Sequence, residues 1–73
     1  MKTFTFYSRP GCTLCDKAEH LLQQAGIQYE KKDISTDVEL EAAFGWEIPV
    51  LLEGDRVLLK GIFVEDDVME LRE

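Results

Sequence analysis

Phe6-Tyr7-Ser8-Arg9-Pro10-Gly11-Cys12-Thr13-Leu14-Cys15 changes its period halfway along. Upstream, Lys2–Tyr7 alternates polar and apolar residues with Phe4 and Phe6 on one face, the period-2 signature of a strand. Arg9-Pro10-Gly11 then breaks regular structure. From Cys12 the period becomes helical. Leu14, Cys15, Ala18, Leu21, Leu22 and Ala25 fall within an arc of about 120° at ~100° per residue, and Gly26 stands where a helix C′ residue belongs. The cysteine pair thus lies at a strand-to-helix junction, Cys12 at the helix N-terminus and Cys15 one turn in, on the apolar arc.

That placement carries chemistry. The first backbone N–H groups of a helix lack intrahelical partners, and together with the helix dipole they favour thiolate over thiol. A free cysteine titrates near 8.5, and helix N-terminal or C-x-x-C sites lower this to ~3.5–7.5. A dipole contribution of up to ~2 kcal/mol supplies about 1.5 units of that, and Arg9 adds a positive charge nearby. Burial instead keeps Cys15 protonated. The asymmetry assigns Cys12 as the attacking thiolate and Cys15 as the resolving thiol of a disulfide exchange. A zinc site is the competing reading, but it wants about four ligands. His20, the other soft ligand, falls opposite the apolar arc, so no metal is expected. A pair of inert buried cysteines is the remaining structural alternative.

Downstream, Ile27–Asp33 reads as a second strand whose Glu30, Lys31 and Lys32 suit a charged sheet edge. Thr36-Asp37-Val38-Glu39 fits a capping box opening a short helix that ends by Gly45. Val50–Leu52 and Val57–Leu59 flank Gly54-Asp55, a two-residue hairpin turn. Val64, Val68 and Leu71 are spaced as a closing helix, with Glu65, Asp66 and Asp67 at its positive end. The order is β-α-β-α-β-β-α, an α/β chain with a four-stranded mixed sheet and helices on both faces. Both early units are expected to be parallel crossovers. Pro49 precedes an apolar strand, a place proline tolerates only at the start.

The 73 residues suffice for one domain, residues 1–73, burying about 60% of the unfolded chain's surface. The net charge is −7 and uneven: residues 1–32 hold five basic and three acidic groups, residues 33–73 three basic and twelve acidic ones. Such a field opposes nucleic acid and anionic membrane, while leaving room for a basic protein partner. The N-terminus shows no apolar run of about 7–15 residues, as secretion requires. A cytoplasmic location is expected, where a cysteine pair is catalytic or metal-binding rather than a staple.

The ten-residue stretch quoted above, followed by Ile48-Pro49-Val50, resembles the glutaredoxin-type members of the thioredoxin-like superfamily, from about Lys2 to Leu71. The resemblance implies a thioredoxin-like fold and thiol-disulfide exchange through Cys12 and Cys15. It also implies a cis Pro49 packed against the cysteines and substrate contacts from Arg9, Thr13, Ile48 and Pro49, with the main chain of Ile48 pairing with substrate. No bound cofactor is implied. Protein disulfides or glutathione mixed disulfides are the implied substrates, with glutathione or a thioredoxin-reductase-type enzyme as reductant and a monomer as the working unit. Three departures stand out. Thr13-Leu14 replaces the usual Pro-Tyr of glutaredoxins, the Gly-Pro and added N-terminal elements of thioredoxins are absent, and Gly61 stands alone where glutaredoxins carry Gly-Gly. Weak glutathione affinity is therefore expected. A redox-regulated binding module, whose cysteine pair switches without turnover, is the second functional reading. Trp46, two residues before Ile48, is expected to border the active-site groove, as a packing residue first and a substrate contact as the alternative. Lys17, Lys31 and Lys32 are expected to be solvated.

Overall fold

The computed structural model describes residues 3–72. Its elements run β1 (Phe4–Ser8), α1 (Thr13–Gln24), β2 (Tyr29–Asp33), a single 3₁₀ turn (Ile34–Thr36), α2 (Val38–Phe44), β3 (Val50–Glu53), β4 (Arg56–Lys60) and α3 (Glu65–Glu70). The sheet order is β2-β1-β3-β4, with β1–β2 parallel and both other pairings antiparallel. Lys2, which the sequence assigns to the first strand, lies outside the described residues.

β1 alternates as its sequence demands. Phe4, Phe6 and Ser8 are buried, and Thr5 and Tyr7 half-buried. Phe6 meets Tyr29 and Phe63 edge-on at centroid distances of 5.5 and 6.1 Å on one side, whereas Tyr7 packs on Phe44 of α2 at 5.2 Å on the other. Burying Phe6 completely contributes up to about 3 kcal/mol, and it centres the core between the sheet and the α1–α3 side. β2 is an edge strand with exposed Glu30, Lys31 and Lys32, as expected. It begins at Tyr29 rather than Ile27, because Ile27 is still used to close α1. Its N–H donates to Leu22 O at 3.0 Å while Gly26 takes φ +73, the backbone reversal that ends a helix at glycine.

The expectation of two parallel crossovers holds for β1-α1-β2 only. β3 runs antiparallel to β1, with Tyr7 opposite Val50, and Ser8 lies opposite Asp33 of β2. The chain from Asp33 to Val50 therefore leaves and rejoins the sheet at the same end. The reason is length. α2 has seven residues, about 10 Å of helix, and cannot span a five-residue strand of about 16 Å.

Three local expectations shift. α2 is capped by Asp37, not Thr36: the Asp37 carboxylate accepts from the N–H groups of Glu39 and Leu40 at 3.0 and 3.1 Å. Thr36 closes the preceding 3₁₀ turn by donating to Asp33 O at 3.0 Å. Leu14 lies 43% exposed, and Cys15, Ala18 and Leu22 carry the buried face of α1 without it. Val64 forms the N-cap of α3 and is exposed, so Val68 and the half-buried Leu71 carry that helix's contact. Gly54 turns the β3–β4 hairpin at φ +60, and the pairing register shifts between Leu51 and Leu52, which face Leu59 and Val57. No helix among the described residues is long and apolar enough to cross a membrane.

Candidate active site

The end of the sheet where β1 and β2 finish and β3 begins gathers the residues singled out from sequence. Gly11 takes φ +80, a conformation that a side chain rarely adopts, and so reverses the chain between β1 and α1. Cys12 then occupies the N-cap position with extended backbone, and its carbonyl accepts the first intrahelical bond from Asp16 N–H at 3.1 Å. The N-cap side chain does what serine or aspartate does elsewhere: Cys12 Sγ accepts from the backbone N–H of Cys15 at 3.1 Å.

Cys12 and Cys15 are joined by a disulfide, with Cα atoms 5.2 Å apart. Their exposures differ as the helical wheel requires. Cys15 is 2% exposed within the core cluster, and Cys12 is partly exposed at its margin. One sulfur is thus partly exposed at the helix N-terminus, where it accepts the Cys15 N–H, and the other is buried in the core. Thr13 opens α1 and is exposed.

Ile48–Pro49 is a cis peptide bond, and both residues are buried at the start of β3. The loop is tied on both sides. Ile48 N–H donates to Phe44 O at 3.1 Å, and Gly61 N–H donates to Pro49 O at 2.9 Å and to Glu47 O at 3.1 Å. Lys60 adds an ion pair to Glu47 at 3.2 Å. With its N–H occupied, Ile48 can offer a docked chain its carbonyl only.

Arg9 does not stand free beside the cysteines. Its guanidinium pairs with the Glu41 carboxylate of α2 and donates to Gly45 O at 2.9 Å. Its charge is thus shared with Glu41, which weakens the help it gives Cys12. Arg9 forms a wall common to two hollows. One, of about 310 Å³, reaches Cys15 and includes Asp16, Glu19, Lys31 and Asp33; the other, of about 470 Å³, includes Val38, Glu41 and Trp46.

Sequence reasoning missed two features. Glu19 on α1 accepts from the Tyr29 hydroxyl at 2.7 Å and from Lys31 at 3.0 Å, stapling the helix to the edge strand. Lys31 is therefore exposed but engaged. Burial pushes the Tyr29 hydroxyl up to about 12, and its bond to Glu19 adds to this. Burial also raises Glu19, but the Tyr29 and Lys31 hydrogen bonds outweigh it and hold that carboxyl below its ordinary value. Trp46 is the second: the packing expected of it does not form among the described residues, and it is fully exposed. Its large apolar side chain suggests burial, and no local pattern tells otherwise.

A family model of the glutaredoxin-like domain (DUF836) matches residues 3–71. No curated protein matches significantly. The fold is similar to the crystal structure of the structural-genomics target XcR50 from X. campestris, with a TM-score of 0.84 and 32% identity over 94% of this chain and 93% of that one. A glutaredoxin from Brucella melitensis superposes with a TM-score of 0.74 at 27% identity over 99% of this chain and 79% of that one. The glutaredoxin-like NrdH-redoxin of Escherichia coli does so at 0.72 and 23%, over 94% and 93%, a level that speaks for the fold alone. A C-x-x-C pair on this fold is, in general terms, the equipment of a thiol-disulfide oxidoreductase. By the family match along nearly its whole length, the chain belongs to the glutaredoxin-like domain family of the thioredoxin-like superfamily.

Proposed function

We propose that this protein reduces disulfides of other proteins by a dithiol mechanism, Cys12 attacking and Cys15 resolving. The observation that carries the reading is the N-cap position of Cys12, whose sulfur accepts the Cys15 N–H at 3.1 Å while the Cys15 side chain is buried. A donor at that place is retained in the reduced form, where it stabilises a thiolate.

The exchange balances in two steps. The Cys12 thiolate attacks one sulfur of a substrate disulfide, forming a mixed disulfide and releasing the other sulfur as a thiolate that takes a proton from water. The Cys15 thiol then gives up its proton and attacks Cys12 Sγ. This frees the second substrate thiol and closes the Cys12–Cys15 disulfide, so two electrons have passed to the substrate. An external dithiol or two glutathione molecules return the protein to its reduced state. Arg9 and Thr13, neighbours of Cys12 in the chain, are assigned to the substrate's approach, with the Ile48 carbonyl beside Pro49 as main-chain acceptor for the substrate segment.

The test is to follow reduction of the oxidised protein by glutathione and, separately, by thioredoxin reductase with NADPH, coupled to a protein disulfide. Catalytic consumption of the substrate disulfide supports the reading. A cysteine pair that oxidises and reduces only once, without turnover, supports a redox-switched binding module instead.

A further inference from the structure

Trp46 is the chain's single tryptophan and buries nothing in the free molecule. It borders the groove of about 470 Å³, whose walls include the 86% exposed Val38, Ala42 and Arg9. An exposed indole and an exposed valine lining one groove form a surface suited to a partner. The groove also adjoins the cysteine loop. The Arg9 guanidinium reaches Gly45 O at 2.9 Å, next to Trp46. Arg9 is also three residues before Cys12, so their Cα atoms lie at most about 11 Å apart.

Charge selects the occupant. Residues 37–47 hold Asp37, Glu39, Glu41 and Glu47 and no basic residue. Within the groove wall Arg9 and Glu41 neutralise each other, and beyond it Glu47 pairs with Lys60. That leaves Asp37 and Glu39, on either side of Val38, as the uncompensated charge at the groove's margin. An exposed aromatic face beside an acidic margin favours a cation. A second copy of this chain, at net −7, is repelled, as are phosphate-bearing partners. We propose that the groove docks a basic segment of the protein whose disulfide Cys12 attacks, with a lysine or arginine lying over the Trp46 indole. The docking deepens the oxidoreductase reading and rests on it for the attack, though not for the binding.

Trp46 reports on its own groove, because no other tryptophan contributes to the emission. Oxidised protein is titrated with cysteine-free peptides that differ only in carrying Lys/Arg, Glu or apolar side chains. The Lys/Arg peptide should shift Trp46 emission to the blue and bind at least roughly threefold tighter than the others, with the preference shrinking at high salt. Calorimetry on Trp46→Ala should show that preference lost. Equal binding of all three peptides, tightest binding of the apolar one, or an intact preference in Trp46→Ala overturns the proposal. Reduction of a small disulfide too short to reach the groove separates the two readings. Turnover there with no charge preference among peptides sinks the docking alone, and groove binding without turnover sinks the redox reading alone.

Discussion

The backbone N–H of Cys15 donates to the sulfur of Cys12 at 3.1 Å, while the Cys15 side chain is itself buried. One residue thus serves the site twice, through its main chain as a donor to the attacking sulfur and through its side chain as the hidden second thiol. The two roles separate on mutation, since replacing the Cys15 side chain leaves the donor in place.

Cys15→Ser should therefore keep the attack and lose the resolution. Mixed with an oxidised substrate protein, the variant should accumulate a covalent complex through Cys12, visible as a summed mass and cleared by dithiothreitol. Cys12→Ser should form none. A complex of equal yield through Cys15 in the Cys12→Ser variant would reverse the assignment.

Arg9 ties the cysteine loop to α2 through Glu41 and Gly45. The pair is part-exposed, so Arg9→Ala should cost about 1 kcal/mol. In a domain of this size that lowers Tm by roughly 4–8 °C. Arg9→Lys should fall between, since a lysine can meet Glu41 but not fork to Gly45 O as well. Thermal unfolding by circular dichroism decides, and an unchanged Tm for Arg9→Ala would show the clamp to be idle.

Tyr29 predicts an alkaline signature. Burial, with the Glu19 bond behind it, pushes its hydroxyl up to about 12. A raised hydroxyl contributes stability that is whole below the unfolded value near 10 and is lost as pH climbs through about 12. Tyrosinate absorbance should thus rise in part only near pH 12, and Tyr29→Phe should abolish that late fraction. Glu19, held low, acts in the opposite range: its contribution is present above its ordinary value and fades as pH falls through the lower folded one. A late fraction that survives in Tyr29→Phe would contradict the assignment.

Ile62 stands directly after Gly61, projecting an exposed side chain from the segment that is bonded to the Pro49 loop. A side chain there hinders a ligand from approaching the backbone closely. Glutathione should bind weakly, and Ile62→Gly should tighten it by about fivefold, the gain of roughly one hydrogen bond. Calorimetry with glutathione on both proteins tests this, and equal affinities would remove the explanation.

Much of this was legible in the residues. The switch from period 2 to period 3.6 around Arg9-Pro10-Gly11 located β1, α1 and the cysteine pair, and Gly54-Asp55 located the hairpin. What escaped depended on distance or on ties between equals. Thr36 and Asp37 both cap helices, and only the 3₁₀ turn that Thr36 closes decides between them. The partner of Arg9 lies 32 residues away, beyond any local pattern. The direction of β3 turned on how little length α2 can span. The exposure of Trp46 follows from its neighbours in space, which its neighbours in sequence do not reveal.

The central claim is that helix N-cap geometry makes Cys12 the nucleophile, and the alkylation rate of reduced Cys15→Ser against pH tests it most directly. Cys12 should react with iodoacetamide along a curve whose midpoint lies clearly below the free-cysteine value of about 8.5. In reduced wild type at neutral pH, one equivalent of reagent should label Cys12 and spare Cys15. A midpoint at or above about 8.5, or label appearing first on Cys15, would contradict the account.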